Sequence, residues 1–284
     1  MITSGGTHDV LTDQETLKGL LNRVRAVLFD FDGPLCDLFR GRSTASIADE
    51  VKVRARQEWR LLDAGAEACT DSHGMLRELA GMLDRYGQSA LGGPPVWADT
   101  IVKKHEYAAV ASAGAVDGVH VLVDALHALG KRLLVVTNNA PGVVGAFLER
   151  TGLEPKFDGI CGRDPRDPRR MKPHPDPVLR ALRRLPAVES DAVLLIGDQV
   201  TDFLAAREAG VLFLGYAQAE SRARELDALR PEGVISSYAP LIGAAAELLR
   251  EAATRSPGHP CASMAMRSQT ESNQDCMRST NAVP

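Results

Sequence analysis

Short, almost unbroken apolar runs recur along this chain with helix-sized segments between them, and that alternation constrains its fold more than any other feature. The first run covers residues 25–31 (Arg-Ala-Val-Leu-Phe-Asp-Phe) and stops at acidic and turn residues, Asp32-Gly33-Pro34. Beyond Asp117 the pattern predicts a helix closing at Gly130, a strand over 132–137, a helix starting near Pro141 and closing at Gly152, and a strand over 192–197. Glycine just past a helix and proline in its first turn are expected stop and start residues. A helix over 201–210, a strand over 211–214 and a helix over 219–229 follow. Runs without polar alternation suit strands buried on both faces. Strands separated by helices pair in parallel through right-handed crossovers, so the expected class is α/β, a doubly wound parallel sheet with helices on both faces.

One block breaks the alternation. From about residue 37 to 114 the β-rich runs vanish, and Ile47, Val51, Ala55, Trp59 and Leu62 recur at helical spacing between arginines. Leu76, Leu79, Ala80 and Leu83 mark a second helix, and Leu91-Gly-Gly-Pro-Pro95 a break. The expected organisation is an all-helical domain over 37–114, inserted into a Rossmann-like core made of 25–36 and 115–252. Ahead of the core, residues 1–24 form an N-terminal extension with a short helix: Thr12 and Glu15 have capping-box spacing, and Leu17, Leu20, Leu21 and Val24 follow. Residues 253–284 are polar without apolar periodicity and read as a disordered tail.

Composition narrows the partners. With 37 acidic residues against 33 Lys and Arg, the formal charge of −4 supplies no field for nucleic acid or an anionic membrane. The 44% hydrophobic and 25% charged content excludes wholesale disorder, a collagen-like chain and a coiled-coil rod. Cys36, Cys69, Cys161, Cys261 and Cys276 are scattered and form no Cys-x-x-Cys pair, so reduced thiols are expected. The first twenty residues lack a basic flank followed by an apolar run, and no stretch approaches the roughly 18 apolar residues of a membrane helix. A cytoplasmic protein is expected.

Ligands of open α/β sheets sit beyond the carboxyl ends of the strands. Here those ends read Asp30-Phe-Asp32-Gly, Thr137-Asn138-Asn139 and Gly197-Asp198-Gln-Val-Thr-Asp202, with Met171-Lys172-Pro173-His174-Pro175 between the last two. Several carboxylates at one sheet edge repel each other and call for a cation between them. Oxygen ligands select a hard ion, and magnesium fits best because it takes one or two carboxylates and bridges to phosphate. Thr137 and Lys172 would offer a hydroxyl and a positive charge to phosphate oxygens. The implied chemistry is phosphoryl transfer.

In their order and placement these motifs resemble the haloacid dehalogenase superfamily over about residues 26–215, and the helical insert resembles the cap of its phosphoglycolate phosphatase and β-phosphoglucomutase branch. The resemblance implies that Asp30 attacks phosphorus to form an aspartyl phosphate, and that Asp32 protonates the leaving oxygen and then deprotonates water. It implies magnesium held by the Asp30 carboxylate, the Asp32 backbone carbonyl and Asp198, with Asp202 acting directly or through water. Thr137, Lys172 and the N–H groups of Phe31, Asp32 and Asn138 would hold the phosphoryl group. The implied activity is hydrolysis of a small phosphate monoester, phosphoglycolate-like or a sugar phosphate, with the cap closing to exclude water. A phosphomutase shares this core, and a non-catalytic binding protein could keep its fold. The presence of all six polar residues argues against the latter, and Asp32 argues against dehalogenation.

Other residues have plainer readings. His174 lies between prolines in a rigid turn, and Cys36 is a packed thiol without a base. Arg40, Arg42, Lys52, Arg54, Arg56 and Arg60 bind a second anionic group of the substrate or form a solvated helix face. Pro34 stands where the family usually has Thr or Val, which stiffens the exit from the first strand.

Overall fold

The structure, a computed structural model, describes residues 13–39, 41–87, 91 and 95–255. Its sheet has six parallel strands: β1 (Ala26–Phe29), β2 (Arg132–Val136), β3 (Gly159–Cys161), β4 (Val193–Gly197), β5 (Leu212–Tyr216) and β6 (Gly233–Ile235). Their spatial order is β3-β2-β1-β4-β5-β6, with Ala26 aligned to both Arg132 and Val193. The chain therefore builds outward from β1 on one side and then on the other, which places the switch point between β1 and β4. A ligand crevice opens there, beyond the carboxyl ends of both strands.

Every residue of β1 is buried, as its unalternating apolar sequence requires. Val27 and Phe29 face one core with α1 (Gln14–Arg23), α6 (Val119–Ala128), α7 (Pro141–Thr151) and α11 (Ala239–Arg255). Ala26 and Leu28 face the other, with α8 (Asp176–Leu182), α9 (Val200–Ala209) and α10 (Glu220–Asp227). The insert carries α2 (Ala45–Trp59), α3 (Ala64–Ala68), α4 (Ser72–Tyr86) and α5 (Val96–Val110), and no strand among its described residues. Its apolar side chains form a third core of their own, including Ile47, Val51, Trp59, Leu79 and Val102, which Met171 joins from the loop before α8.

Several boundaries differ from the sequence reading. The cap of α1 is Asp13, whose carboxylate accepts from Thr16 N at 2.9 Å; Thr12 lies outside the described residues. Helix α11 runs on to Arg255, so the polar stretch from 253 begins inside it, and residues 256–284 lie outside the described residues. Of the Leu91–Pro95 break, only its two end residues are described. The three-residue edge strands β3 and β6 were not anticipated, because each contains one glycine and too few apolar residues to make a run. No helix of the described residues is long and apolar enough to cross a membrane.

Candidate active site

The residue after β1 is still part of the sheet: Asp30 N donates to Ile196 O of β4 at 2.9 Å, which fixes the Asp30 side chain at the crevice. The chain then turns sharply. Leu35 N and Cys36 N both donate to Phe31 O, and Gly33 N returns to Cys36 O at 2.7 Å. Gly33 has φ +106°, and a Cβ there would lie 2.6 Å from Asp198 Cγ, so only glycine lets this turn cross over the Asp198 carboxylate. Pro34 fits the turn, and its carbonyl accepts from the Tyr238 hydroxyl at 2.7 Å.

Asp30, Asp198 and Asp202 each place a carboxylate oxygen within 4.8 Å of the others. Asp202 stands in the first turn of α9, where Oδ2 accepts from Asp198 N at 3.1 Å and Gln199 N at 3.0 Å. Lys172, 1% exposed, reaches in from the loop before α8. Its ammonium lies 2.7 Å from Asp30 Oδ1 and 2.6 Å from Asp202 Oδ1, and donates to Val136 O at 3.0 Å. One cation thus pairs with two of the three carboxylates and, among the described residues, leaves Asp198 without one. Burial, with the charges of Asp202 and Asp30 adding to it, pushes the Asp198 carboxyl far above the usual range. Burial and Asp30 also raise Asp202, against the opposing charge of Lys172.

Asp198 Oδ2 accepts from Gln199 Nε2 at 2.7 Å, whereas the buried Oδ1 has no hydrogen-bond donor. An undonated buried carboxylate oxygen beside two other carboxylates is the donor set of a hard cation. The residues present therefore fit a divalent metal. Asp32 differs from its neighbours: Oδ1 accepts from Leu38 N at 2.8 Å, and burial, reinforced by the Asp30 charge, raises its pKa to about 6. Such a carboxyl can both give and take a proton near neutral pH.

Thr137 is fully buried at the end of β2; its hydroxyl donates to Asn139 Oδ1 at 3.0 Å and accepts from Asn139 N at 3.1 Å. Asn138 spends its side chain on the lysine loop, with Oδ1 accepting from Lys172 N at 2.7 Å and Nδ2 donating to Lys172 O at 3.0 Å. All seven sequence-selected residues are thus gathered at one sheet edge, with Asn138 bracing Lys172.

Above them lies a cleft of about 1050 Å³, lined from the core by Asp30, Asp32, Thr137, Lys172 and Asp198, and from the insert by Arg42, His73 and Arg77. Of the basic residues the sequence offered for a second anion, Arg42 faces this cleft. Lys52 pairs with Asp49, Arg54 with Glu58 and Arg56 with Glu67; Arg60 caps α2 in the left-handed region. Arg40 lies outside the described residues. His73 and Arg77 were missed, although their i,i+4 spacing puts them on one face of α4. His174 is exposed, with Nδ1 accepting from Asp176 N, and Cys36 is buried, which pushes its thiol up.

The sequence pattern of the haloacid dehalogenase-like hydrolases matches residues 24–210. The phosphoglycolate phosphatase of Salmonella typhimurium is 29% identical over 245 residues, covering 79% of this chain and 93% of its own. That of Rhodospirillum rubrum is 33% identical over 217 residues, covering 72% and 85%. Among solved structures, a predicted phosphatase from Clostridium acetobutylicum superposes with TM-score 0.53 at 20% identity, over 81% of this chain and 99% of its own. A haloacid dehalogenase-like hydrolase from Streptococcus pneumoniae gives 0.50 at 19% identity, over the same shares, 81% and 99%. These two show the shared fold. The family pattern reaches from before Asp30 to beyond Asp202, and so takes in every residue gathered at this sheet edge: the chain belongs to the haloacid dehalogenase-like hydrolase family.

Proposed function

We propose that this enzyme is a magnesium-dependent phosphatase that hydrolyses a small phosphate monoester, phosphoglycolate-like or a sugar phosphate, through an aspartyl phosphate on Asp30. Phosphatase activity is supported by the family and by the phosphatases among its relatives. The observation that carries the finer reading is the grouping of Lys172 and three carboxylates at the switch point, with one Asp198 oxygen lacking any donor. Asp30, Asp198 and the Asp32 backbone carbonyl would hold the ion, and Asp202 would support them while orienting Lys172. Magnesium, when bound, supplies positive charge to the phosphoryl oxygens.

The chain's own residues then divide the reaction. Asp30 attacks phosphorus as the bond to the ester oxygen breaks, and Asp32 gives that oxygen its proton. Asp32, now a carboxylate, takes a proton from water as the water attacks the aspartyl phosphate, which releases phosphate and restores Asp30. Lys172 and the Thr137 hydroxyl hold the phosphoryl oxygens, and the backbone N–H groups of Phe31, Asp32 and Asn138 complete that cradle. Asn138 also holds the Lys172 loop in place. The substrate is a small phosphorylated metabolite, with neither nucleic acid nor membrane as partner. A cytoplasmic location is part of this reading, resting on scattered cysteines that form no Cys-x-x-Cys pair.

The test is release of inorganic phosphate from a panel of small phosphate esters, with magnesium and with chelator. Magnesium-dependent release is expected. An isomerised product without free phosphate would make the protein a mutase, and no turnover of any ester would leave a binding protein.

Stability should carry the same signature. Raised carboxyl values mean that the folded chain holds protons the unfolded chain has lost, so stability falls as pH rises through the folded values. Asp32, Asp198 and Asp202 all act in this direction. Glu106, depressed to about 2 by His73 and Arg163 despite its burial, has finished titrating below this window. In chelator, Tm should be several degrees lower at about pH 8 than at about pH 5.5, since each kcal/mol moves Tm by about 2–4 °C at this size. Magnesium should raise Tm most at the higher pH, where it need not displace protons. Thermal melts at the two pH values check both signs.

A further inference from the structure

Glu106 of α5 is 0% exposed, and its carboxylate gathers partners from three separate segments. Oε1 accepts from His73 Nε2 at 3.0 Å, from Asn139 Nδ2 at 3.0 Å and from Arg163 Nη1 at 2.6 Å; Oε2 accepts from Ala140 N at 3.3 Å. Arg163, 2% exposed in the loop after β3, also binds Asp99 Oδ1 at 2.6 Å and Asn138 O at 3.2 Å. The insert is thereby joined to the loop that follows β2 by one buried carboxylate.

That carboxylate dictates a direction of hydrogen bonding. Ionised Glu106 can only accept, so the Asn139 amide must turn its NH2 toward Glu106 and its oxygen toward Thr137. Asn139 Oδ1 then takes the Thr137 hydroxyl proton at 3.0 Å, while Asn139 N donates to Thr137 Oγ1 at 3.1 Å. Glu106 pins the Asn139 side chain at Nδ2 and the backbone that follows it at Ala140 N, so the Asn139 N–H that holds Thr137 Oγ1 is fixed from the insert. When an anion enters, the hydroxyl proton can swing from Asn139 to the anion while Asn139 N keeps the oxygen in position. An oxygen fixed beforehand loses less entropy on binding than one free to move, and this gain offsets the Asn139 Oδ1 bond that the proton gives up.

We propose that Glu106 is a positioning residue for phosphate binding, acting through Asn139 on the Thr137 hydroxyl, so that the helical insert sets the geometry of the core's anion site. The inference rests on the assignment of Thr137 to the phosphoryl group made above. His73, which lines the cleft, is fixed by the same carboxylate, so the wall of the substrate space and the floor of the anion site share one anchor.

The experiment is a double-mutant cycle on the full chain, read as the Kd for inorganic phosphate by titration calorimetry with magnesium present, alongside Tm. Thr137→Val, Asn139→Ala and Glu106→Gln should each weaken phosphate about 5- to 10-fold, the scale of one lost hydrogen bond. Adding Asn139→Ala or Glu106→Gln to Thr137→Val should cost no further affinity, because both act through the hydroxyl already removed. Equal losses with and without the Thr137 hydroxyl would overturn the relay, as would a lowered Tm with unchanged Kd. If Thr137→Val itself leaves Kd unchanged, the assignment of Thr137 falls, and that result is distinct from additivity. Should Glu106→Gln fail to fold, Asn139→Ala decides alone, since it leaves the Glu106–Arg163 ion pair intact.

Discussion

Asp30→Asn should lower kcat for phosphate release by roughly 10⁴- to 10⁶-fold, the range seen when an enzyme loses its nucleophile. The amide matches the carboxylate in shape but carries no charge to drive attack on phosphorus. The fold should not suffer. Lys172 keeps its contact of 2.6 Å with Asp202 after losing charge from Asp30, and one of three mutually repelling carboxylates is gone. In chelator, Tm should therefore stay level or rise. Relieved of the Asp30 charge, Asp198 should titrate at a lower pH, since that charge contributes to its upward shift. Steady-state kinetics and melts on the same preparation separate the outcomes. A loss of activity under about tenfold would remove Asp30 from the nucleophile's role, and a collapse of Tm would mean that the charge on Asp30 is structural.

The parts of this site that were legible in the sequence are those written within single strands and their following turns. Asp30 and Asp32 follow β1, whose two-faced burial shows as an unbroken apolar run, and Asp198 follows β4 for the same reason. Thr137 and Lys172 could be placed by order along the chain. What could not be read is which side chains meet. Glu106, Asn139 and Arg163 lie on an insert helix and two separate loops, and nothing in their local patterns marks them as partners. Asp202 shows a related limit. Its spacing from Asp198 suits a metal ligand, yet one oxygen caps the start of α9 and the other faces Lys172, an arrangement set by a loop thirty residues earlier in the chain. Asn138 is similar: its side chain is committed to the Lys172 backbone, a pairing that neighbouring residues do not announce.

Lys172→Met tests the electrostatic core of the site most severely. Methionine matches the length of the lysine stem and leaves no cavity, so the change isolates the charge. Without it, Asp30 and Asp202 face each other and Asp198 with no buried cation, and removing one partner from a buried ion pair costs about 3–5 kcal/mol. At about 2–4 °C per kcal/mol, Tm in chelator should fall by roughly 6–20 °C. Magnesium should restore more of that loss than it adds to the unaltered protein, because it becomes the only cation among the carboxylates. Activity should not return with it. The ammonium also faces the phosphoryl oxygens, and a fixed charge of this kind is worth about 10²- to 10³-fold in kcat. Adding Asp202→Asn to Lys172→Met should recover stability by removing one unpaired carboxylate while leaving kcat low. Recovery of both together would make Lys172 a purely structural cation, whereas stability without activity fixes it as a group that serves the fold and the anion at once.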